Sequence, residues 1–328
     1  HQDVKESMKN ILTADIGGTN SRFAHFQCEM GNKLTIIESK WLKTRDTASF
    51  SGLLNRLKAT DFSLHFDQAE AAVFAVAGPV EGGKYSQPPH IPWGIDVSNA
   101  CNEFGLNRCE LINDFVAQAF ACRSPVIESA QQVVPGDICP EAPLVVIGAG
   151  TGLGQAALVP CNGGGYVSLP SEGAHASFPF ESKKEFSYMK FLLEKLESPY
   201  VTNEAVVSGT GLSLLHQFLT GEKLEPAEVA SGLREDSQVL LWMARFYGRV
   251  CRNYAFQFLA RGGVYVAGGV AAKTPILVTH EAFASEFHRA ETNMLHVLKD
   301  IPVFLNSNEE SGLWGAALRG AHLLQMGP

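Results

Sequence analysis

The chain has 328 residues, 45% of them hydrophobic and 18% charged, with a formal net charge of −8. That length allows two domains and a sizeable core. The acidic balance argues against broad nucleic-acid or anionic-membrane binding, yet leaves room for a phosphorylated ligand whose charge Mg²⁺ offsets.

No apolar run reaches the ~18 residues of a membrane span. The polar start His1–Ser7 lacks a signal-peptide core, and Met8 is a candidate native start. The seven cysteines form no CxxC and no zinc-finger spacing with histidine, so they read as reduced thiols of a cytoplasmic protein.

In chain order, the apolar run Ile11-Leu12-Thr13-Ala14 predicts a first strand ending at Asp15. Asp15-Ile16-Gly17-Gly18-Thr19-Asn20-Ser21-Arg22 then places an acidic residue before a tight glycine turn, and Ser21–Phe26 leads away as a second strand. Glycines let backbone N–H groups approach an anion, so the turn suits phosphate. The carboxylate before it suits Mg²⁺, which prefers oxygen ligands and keeps several waters. A plain β-hairpin is the simpler alternative.

A third strand over Leu34–Trp41 and a helix over Ser49–Ala59 follow, the helix carrying Phe50, Leu53, Leu54 and Leu57 on its apolar face. Ala71–Ala77 reads as a buried strand ending at Gly78-Pro79. The stretch from Gly78 to Tyr85 nearly matches a P-loop. However, Tyr85 stands where a hydroxyl should meet Mg²⁺, and Pro88-Pro89 blocks the helix that should follow.

Asp96–Phe104 predicts a short helix capped by Asp96 or Ser98. Cys109–Ile112 predicts a strand that delivers Asn113-Asp114 to its carboxyl edge, where open α/β sheets bind ligands. Asp114 there suits a general base for phosphoryl transfer, or equally an N-cap for the helix Phe115–Cys122.

The second half repeats the design. Leu144-Val145-Val146-Ile147 leads into Gly148-Ala149-Gly150-Thr151-Gly152-Leu153-Gly154, and strands follow near 155–159 and 166–169. Gly152-x-Gly154-x-x-Ala157 resembles a dinucleotide fingerprint, but Pro160 leaves no room for the helix that motif needs. Ser171-Glu172-Gly173-Ala174-His175 offers a carboxylate and an imidazole suited to a polyhydroxylated ligand. Glu204, before Ala205-Val206-Val207-Ser208-Gly209-Thr210-Gly211, reads in isolation as a solvated helix end.

Helices are predicted near 183–197 and 237–260, strands at Val264–Ala267 and Pro302–Leu305, and a last helix near 310–324. Gly268-Gly269-Val270 is a third glycine turn at a strand end. It lets adenine or ribose lie flat on backbone, or is a plain left-handed turn. No linker separates the halves.

With these pieces in order, the chain resembles the bacterial glucokinase family of the sugar-kinase/actin/Hsp70-type superfamily, from about Ile11 to about Leu324. The segments that carry the resemblance are Asp15–Arg22, Ile112–Phe115, Gly148–Gly154, Pro170–His175, Val207–Leu212 and Ala267–Val270. It implies an α/β fold of ribonuclease H-like/actin-like ATPase type, with two domains flanking a cleft. The division expected is a small domain over 1–112, joined again by a C-terminal helix of about 310–328, and a large domain over 113–309.

The implied activity is transfer of the γ-phosphoryl group of ATP to the 6-hydroxyl of glucose. The resemblance makes Asp114 the catalytic base, and Asn113, Asp114, Glu172, His175 and Glu204 the sugar-binding residues. Gly17, Gly18, Thr19, Asn20, Gly150, Thr151 and Gly152 would hold phosphates, with Asp15 near Mg²⁺ and Gly268-Gly269 beside the adenosine. A homodimer in the cytoplasm is implied.

The family's usual Thr-Asn before a Trp is here Pro89-His90, followed by Ile91-Pro92-Trp93, which bears on sugar choice. The zinc motif of the related repressor–kinase (ROK) group is absent. Competing readings are a kinase for fructose, mannose or an amino sugar, a non-catalytic sugar sensor, and an Hsp70-like or actin-like ATPase. ADP and polyphosphate are alternative donors.

Overall fold

The computed structural model describes residues 8–29, 33–162 and 164–325. The polar start His1–Ser7 lies outside the described residues. Contacts divide the chain into one compact unit of His1–Glu128 with Asn308–Pro328, and a second of Ser129–Ser307.

The first unit is built on a five-stranded sheet. Strands β1 (Lys9–Ile16), β2 (Asn20–Cys28) and β3 (Leu34–Lys43) form an antiparallel meander. Helix α1 (Phe50–Lys58), capped by Ser49, then crosses to β4 (Ala71–Val76). The predicted helix over 96–104 is shorter than expected. Residues Tyr85–Ser86 (β5) and Ile95–Asp96 (β6) form a small hairpin, and α2 spans only Ala100–Phe104. Asp96 accepts instead from the Ser98 N–H at 2.8 Å, a local turn that competes with capping. Strand β7 (Cys109–Asn113) and helix α3 (Asp114–Ala121) complete this stretch.

The sheet order is β3-β2-β1-β4-β7, with β1, β4 and β7 parallel. Every residue of β4 is buried, as a strand covered on both faces requires. Register pairs Asp15 with Ala75, and Ala75 with Ile112, so Asp15 and Asn113-Asp114 leave the sheet at the same carboxyl edge.

The second unit repeats that plan. Its strands are β8 (Gln131–Val134), β9 (Leu144–Ala149), β10 (Leu153–Pro160), β11 (Tyr166–Ser171), β12 (Val264–Ala267) and β13 (Val303–Leu305), in the order β11-β10-β9-β12-β13-β8. Here β9, β12 and β13 are parallel, and β9-β10-β11 form the meander.

Between β11 and β12 run α4 (Lys183–Leu196), α5 (Asn203–Val206), α6 (Gly209–Thr220), α7 (Pro226–Gly232) and the long α8 (Gln238–Phe258). Short helices α9 (Gly269–Lys273), α10 (Ile276–Thr279), α11 (Glu281–Phe287) and α12 (Leu295–Lys299) precede β13. An aromatic core of Phe178, Tyr188, Trp242 and Phe246 locks α4 to α8.

Helix α13 (Ser311–Gln325) belongs to the first unit. It packs on α3, where His322 meets the Phe120 ring edge-on and Arg319 forms an ion pair with Glu110 on β7 at 2.8 Å. That packing keeps α3 in the first unit, so the division falls at 128/129, whereas the sequence suggested 112/113. Among the described residues no helix is long and apolar enough to cross a membrane.

Candidate active site

In the first unit, the β1–β2 turn is tight: Gly17 N–H donates to the Asn20 carbonyl at 3.0 Å, and Thr44 N–H donates to the Thr19 carbonyl at 2.9 Å. Thr19 and Asn20 are exposed at its tip. Asp15, just before the turn, pairs across the strands with Arg22. Burial pushes its carboxyl up to about 6, with Arg22 pulling the other way. The first turn of α13 lies against Asp15, since a Cβ on Gly312 would come 3.1 Å from Oδ2.

Asn113 and Asp114 divide their labour. Asn113 is the N-cap of α3: its Oδ1 accepts from Phe115 N–H at 2.9 Å and Val116 N–H at 3.3 Å. Its amide nitrogen donates to the Gly78 carbonyl at 2.9 Å, and its side chain also hydrogen-bonds the Asp114 carboxyl. Capping is thus carried by Asn113, and Asp114 stands at the first helical position. Asp114 Oδ1 shares the Phe115 N–H at 3.0 Å, so Oδ2 is the oxygen left to take a proton. Burial, reinforced by the negative charge of Asp15, pushes the Asp114 carboxyl up to about 7. Two neighbouring carboxylates at one strand edge, both reluctant to ionise, are an arrangement that tunes a base toward neutral pH.

The Pro89-His90 segment lies against this turn. His90 holds φ at +108°, and a Cβ on Gly18 would come within 2.8 Å of the His90 Cβ. Backbone strain of this kind collects at ligand-binding loops.

In the second unit, the β9–β10 turn closes with Gly150 N–H donating to the Gly152 carbonyl at 2.8 Å, and Thr151 is exposed at its tip. Gly209 N–H, at the start of α6, donates to the Gly150 carbonyl at 2.8 Å. Gly268 is the N-cap of α9, at φ 86° and ψ 157°. The third glycine turn is therefore a helix start. A cavity of about 570 Å³ opens beside these elements, lined by Gly150, Thr151, Thr210, Pro226, Ala230, Gly269, Val270 and Lys273. Its size and largely apolar walls suit a drug-sized or nucleoside-sized ligand.

Sequence reading found the wall at Gly269-Val270 but missed those supplied by α6 and α7. One signal was present: Glu225-Pro226-Ala227-Glu228 carries a helix start, with the Glu228 carboxylate accepting from the Glu225 N–H at 2.9 Å.

Glu172 precedes and His175 ends a single 3₁₀ turn (Gly173–His175) after β11, both exposed, with Nε2 and Oε2 3.5 Å apart. Glu204 is not a free helix end. Its Oε2 accepts from the Leu153 N–H at 3.0 Å, against the turn that follows β9.

Residues 12–323 match the family model described as Glucokinase. The chain belongs to the glucokinase family. Membership of the glucokinase family is reinforced by a Glucokinase of Nostoc sp., 31% identical, covering 96% of this chain and all of that protein. A glucokinase structure from an Antarctic psychrotroph superposes with a TM-score of 0.84 at 26% identity, over 96% of this chain and 100% of that one. At the level of fold alone, the ROK family glucokinase of Streptomyces griseus, solved with glucose and AMPPNP, aligns with a TM-score of 0.60 at 17% identity, over 96% and 100% of the two chains. The chain is thus a kinase of the actin-like ATPase fold.

Proposed function

We propose that the protein transfers the γ-phosphoryl group of ATP to the 6-hydroxyl of glucose, with Asp114 as the base. The observation that carries the mechanism is the division between Asn113 and Asp114. Because Asn113 supplies the cap, Asp114 keeps an oxygen for chemistry at a carboxyl held up near 7. Family membership supports the reaction class, and the glucose and AMPPNP held by the Streptomyces griseus relative support the choice of substrates.

Asp114 Oδ2 accepts the proton of the attacking hydroxyl as its oxygen bonds to the γ-phosphorus. The bond from that phosphorus to the β,γ-bridging oxygen breaks, and ADP leaves. The Gly17–Asn20 and Gly150–Gly152 turns are proposed to hold phosphate oxygens, through backbone N–H groups other than those of Gly17 and Gly150, which close the turns. Asn113, Glu172, His175 and Glu204 are assigned to sugar hydroxyls, and Gly268-Gly269 with the adjacent cavity to adenosine.

Asp15 presents hard carboxylate oxygens beside the glycine turn, a donor that fits Mg²⁺. Asp15 would hold the ion through water, and when bound it supplies charge neutralisation of the phosphate chain. A cytosolic setting goes with seven free cysteines, and a homodimer is carried from the family resemblance.

The decisive experiment is a coupled assay with glucose and ATP·Mg²⁺, repeated over fructose, mannose and amino sugars, and with ADP or polyphosphate as donor. Equal or greater turnover of another hexose would overturn the sugar assignment. Two expected outcomes follow from the geometry.

The base must be ionised to act, so kcat/KM falls about tenfold per unit as pH drops below about 7, the value to which Asp114 is pushed. A pH–rate profile flat down to pH 5 would remove Asp114 from the role.

Gly268 sits in a region of backbone space that only glycine occupies comfortably, and an added Cβ would meet the Ala149 carbonyl at 2.6 Å. Gly268→Ala should therefore cost about 1–3 kcal/mol in urea unfolding and raise the KM for ATP more than that for glucose.

A further inference from the structure

Helix α5 is four residues long, yet it touches both ligand-facing loops of the second unit. On one side, Asn203 holds the Glu172–His175 loop: its side-chain amide donates to the Gly173 carbonyl at 3.1 Å, and its backbone N–H donates to the Ala176 carbonyl at 2.9 Å. The chain just before it adds Tyr200, whose hydroxyl donates to the His175 carbonyl at 3.2 Å. On the other side, Glu204 holds the Gly150–Gly154 turn. Besides the Leu153 bond, its carboxylate presses on Gly152 so closely that an added Cβ would stand 2.4 Å from Oε2.

The helix itself is pinned. Thr202 caps it through the Ala205 N–H at 3.0 Å, and at the joint with α6 a Cβ on Gly211 would lie 2.2 Å from the Val206 carbonyl. Adjacent residues of a rigid segment therefore hold the sugar loop and the phosphate turn.

We propose that α5 couples the two ligands, with Glu204 as a positioning residue of the nucleotide turn as well as a sugar ligand. This rests on the sugar-kinase reading above. Glu204 Oε2 is committed to Leu153, so Oε1 is the oxygen left for a sugar hydroxyl. A hydroxyl at Oε1 fixes the carboxylate, and the carboxylate fixes the turn whose amides face phosphate. Coupling of this kind is reciprocal: sugar tightens nucleotide by the factor by which nucleotide tightens sugar.

The test is calorimetric titration of AMPPNP·Mg²⁺ and of glucose, each with and without the other, in wild type, Glu204→Ala, Glu204→Gln and Asn203→Ala. In wild type, glucose is expected to tighten AMPPNP at least fivefold. Glu204→Ala should weaken AMPPNP about tenfold even without glucose, and reduce the coupling factor to near one. Glu204→Gln keeps an acceptor for the Leu153 N–H and should restore most of the sugar-free AMPPNP affinity. Asn203→Ala should weaken glucose and lower the coupling, while sugar-free AMPPNP binding stays within twofold of wild type.

The proposal is overturned if Glu204→Ala binds AMPPNP normally without glucose and loses only glucose affinity. It is equally overturned if the coupling factor of Glu204→Ala matches wild type. The sugar-free arm decides the role of Glu204 whether or not glucose proves to be the substrate, so the two readings fail separately.

Discussion

Replacing Asp114 with Asn is expected to lower kcat by roughly 10²–10⁴-fold while leaving glucose bound within a fewfold of wild-type affinity. Asn keeps the shape and can still accept from the Phe115 N–H, but it cannot take a proton from the attacking hydroxyl. Binding and chemistry therefore part company, which a cap residue would not show. Steady-state kinetics with glucose titrated calorimetrically measures both, and near-normal kcat would refute the base assignment.

A second readout separates the charge from the fold. The folded protein raises the Asp114 carboxyl from 3.8 to about 7, so the native state holds this proton more tightly than the unfolded chain does. Stability is then lost as pH rises from about 4 through about 7, where the native carboxyl must ionise. Asp114→Asn has no charge to bury, so its Tm should exceed wild type at pH 8 and match it at pH 4. A variant that gains stability while losing catalysis marks a residue kept for chemistry, at a cost to the fold.

Much of this could be read locally, because the signals are local. Apolar runs ended by glycine give β1, β4, β9 and β12, and the glycines sit at the carboxyl edges where ligands bind. Asn113 and Asp114 could not be told apart, since both are good caps and the choice depends on which carbonyl each side chain meets. Asn113 is decided by Gly78, thirty-five residues away. The helix starts at Asp96 and Ser98 failed for a related reason: the Asp96 carboxylate accepts from the Ser98 backbone N–H in a local turn.

Helices α5, α6, α7 and α9 to α12 are mostly too short to show a helical period. They are held by caps such as Thr202 and Ser208 and by packing, and packing leaves no mark in a window of ten residues. Glu204 looked like a solvated end because its partner, Leu153, lies fifty-one residues earlier.

The buried charge network of the second unit was invisible for the same reason, and it carries the largest expected stability effect. Arg249 on α8 is fully buried. It grips Glu185 of α4 with two nitrogens at 2.7 and 3.1 Å, and Glu286 of α11 with Nε at 2.9 Å. A further bond reaches the Pro179 carbonyl at 2.9 Å, and the guanidinium lies over Phe178 and Phe246.

Burial opposes ionisation of Glu185 and Glu286, but the hydrogen bonds and charge of Arg249 outweigh it and hold both carboxyls below their usual range. Arg249→Met leaves two buried carboxylates. Arg245 and Arg252 still reach them, at 3.3 and 3.2 Å, but each lies on the rim of the network and is more exposed than Arg249. The expected loss is about 3–5 kcal/mol in urea unfolding at pH 7, the usual cost of removing one partner from a buried pair.

The pH dependence should weaken. In wild type these lowered carboxyls contribute stability above about pH 4.5, and that stability is lost as pH falls through their folded values. In Arg249→Met the carboxyls lose their fully buried partner and keep only Arg245, Arg252 and Arg289, so they are held down less, and the deficit shrinks as pH falls and they protonate. Arg249→Met combined with Glu185→Leu and Glu286→Leu removes the orphaned charges, and should recover most of the loss.

The effect should extend to nucleotide binding. Tyr247, two residues from Arg249 on the same helix, accepts the Ala149 N–H through its hydroxyl at 3.3 Å, one residue before the Gly150 turn. A shift of α8 therefore displaces the turn assigned to phosphate. Arg249→Met should raise the KM for ATP at temperatures well below its Tm, with the KM for glucose changed less. An unchanged ATP KM together with the full stability loss would show that the network holds the fold alone.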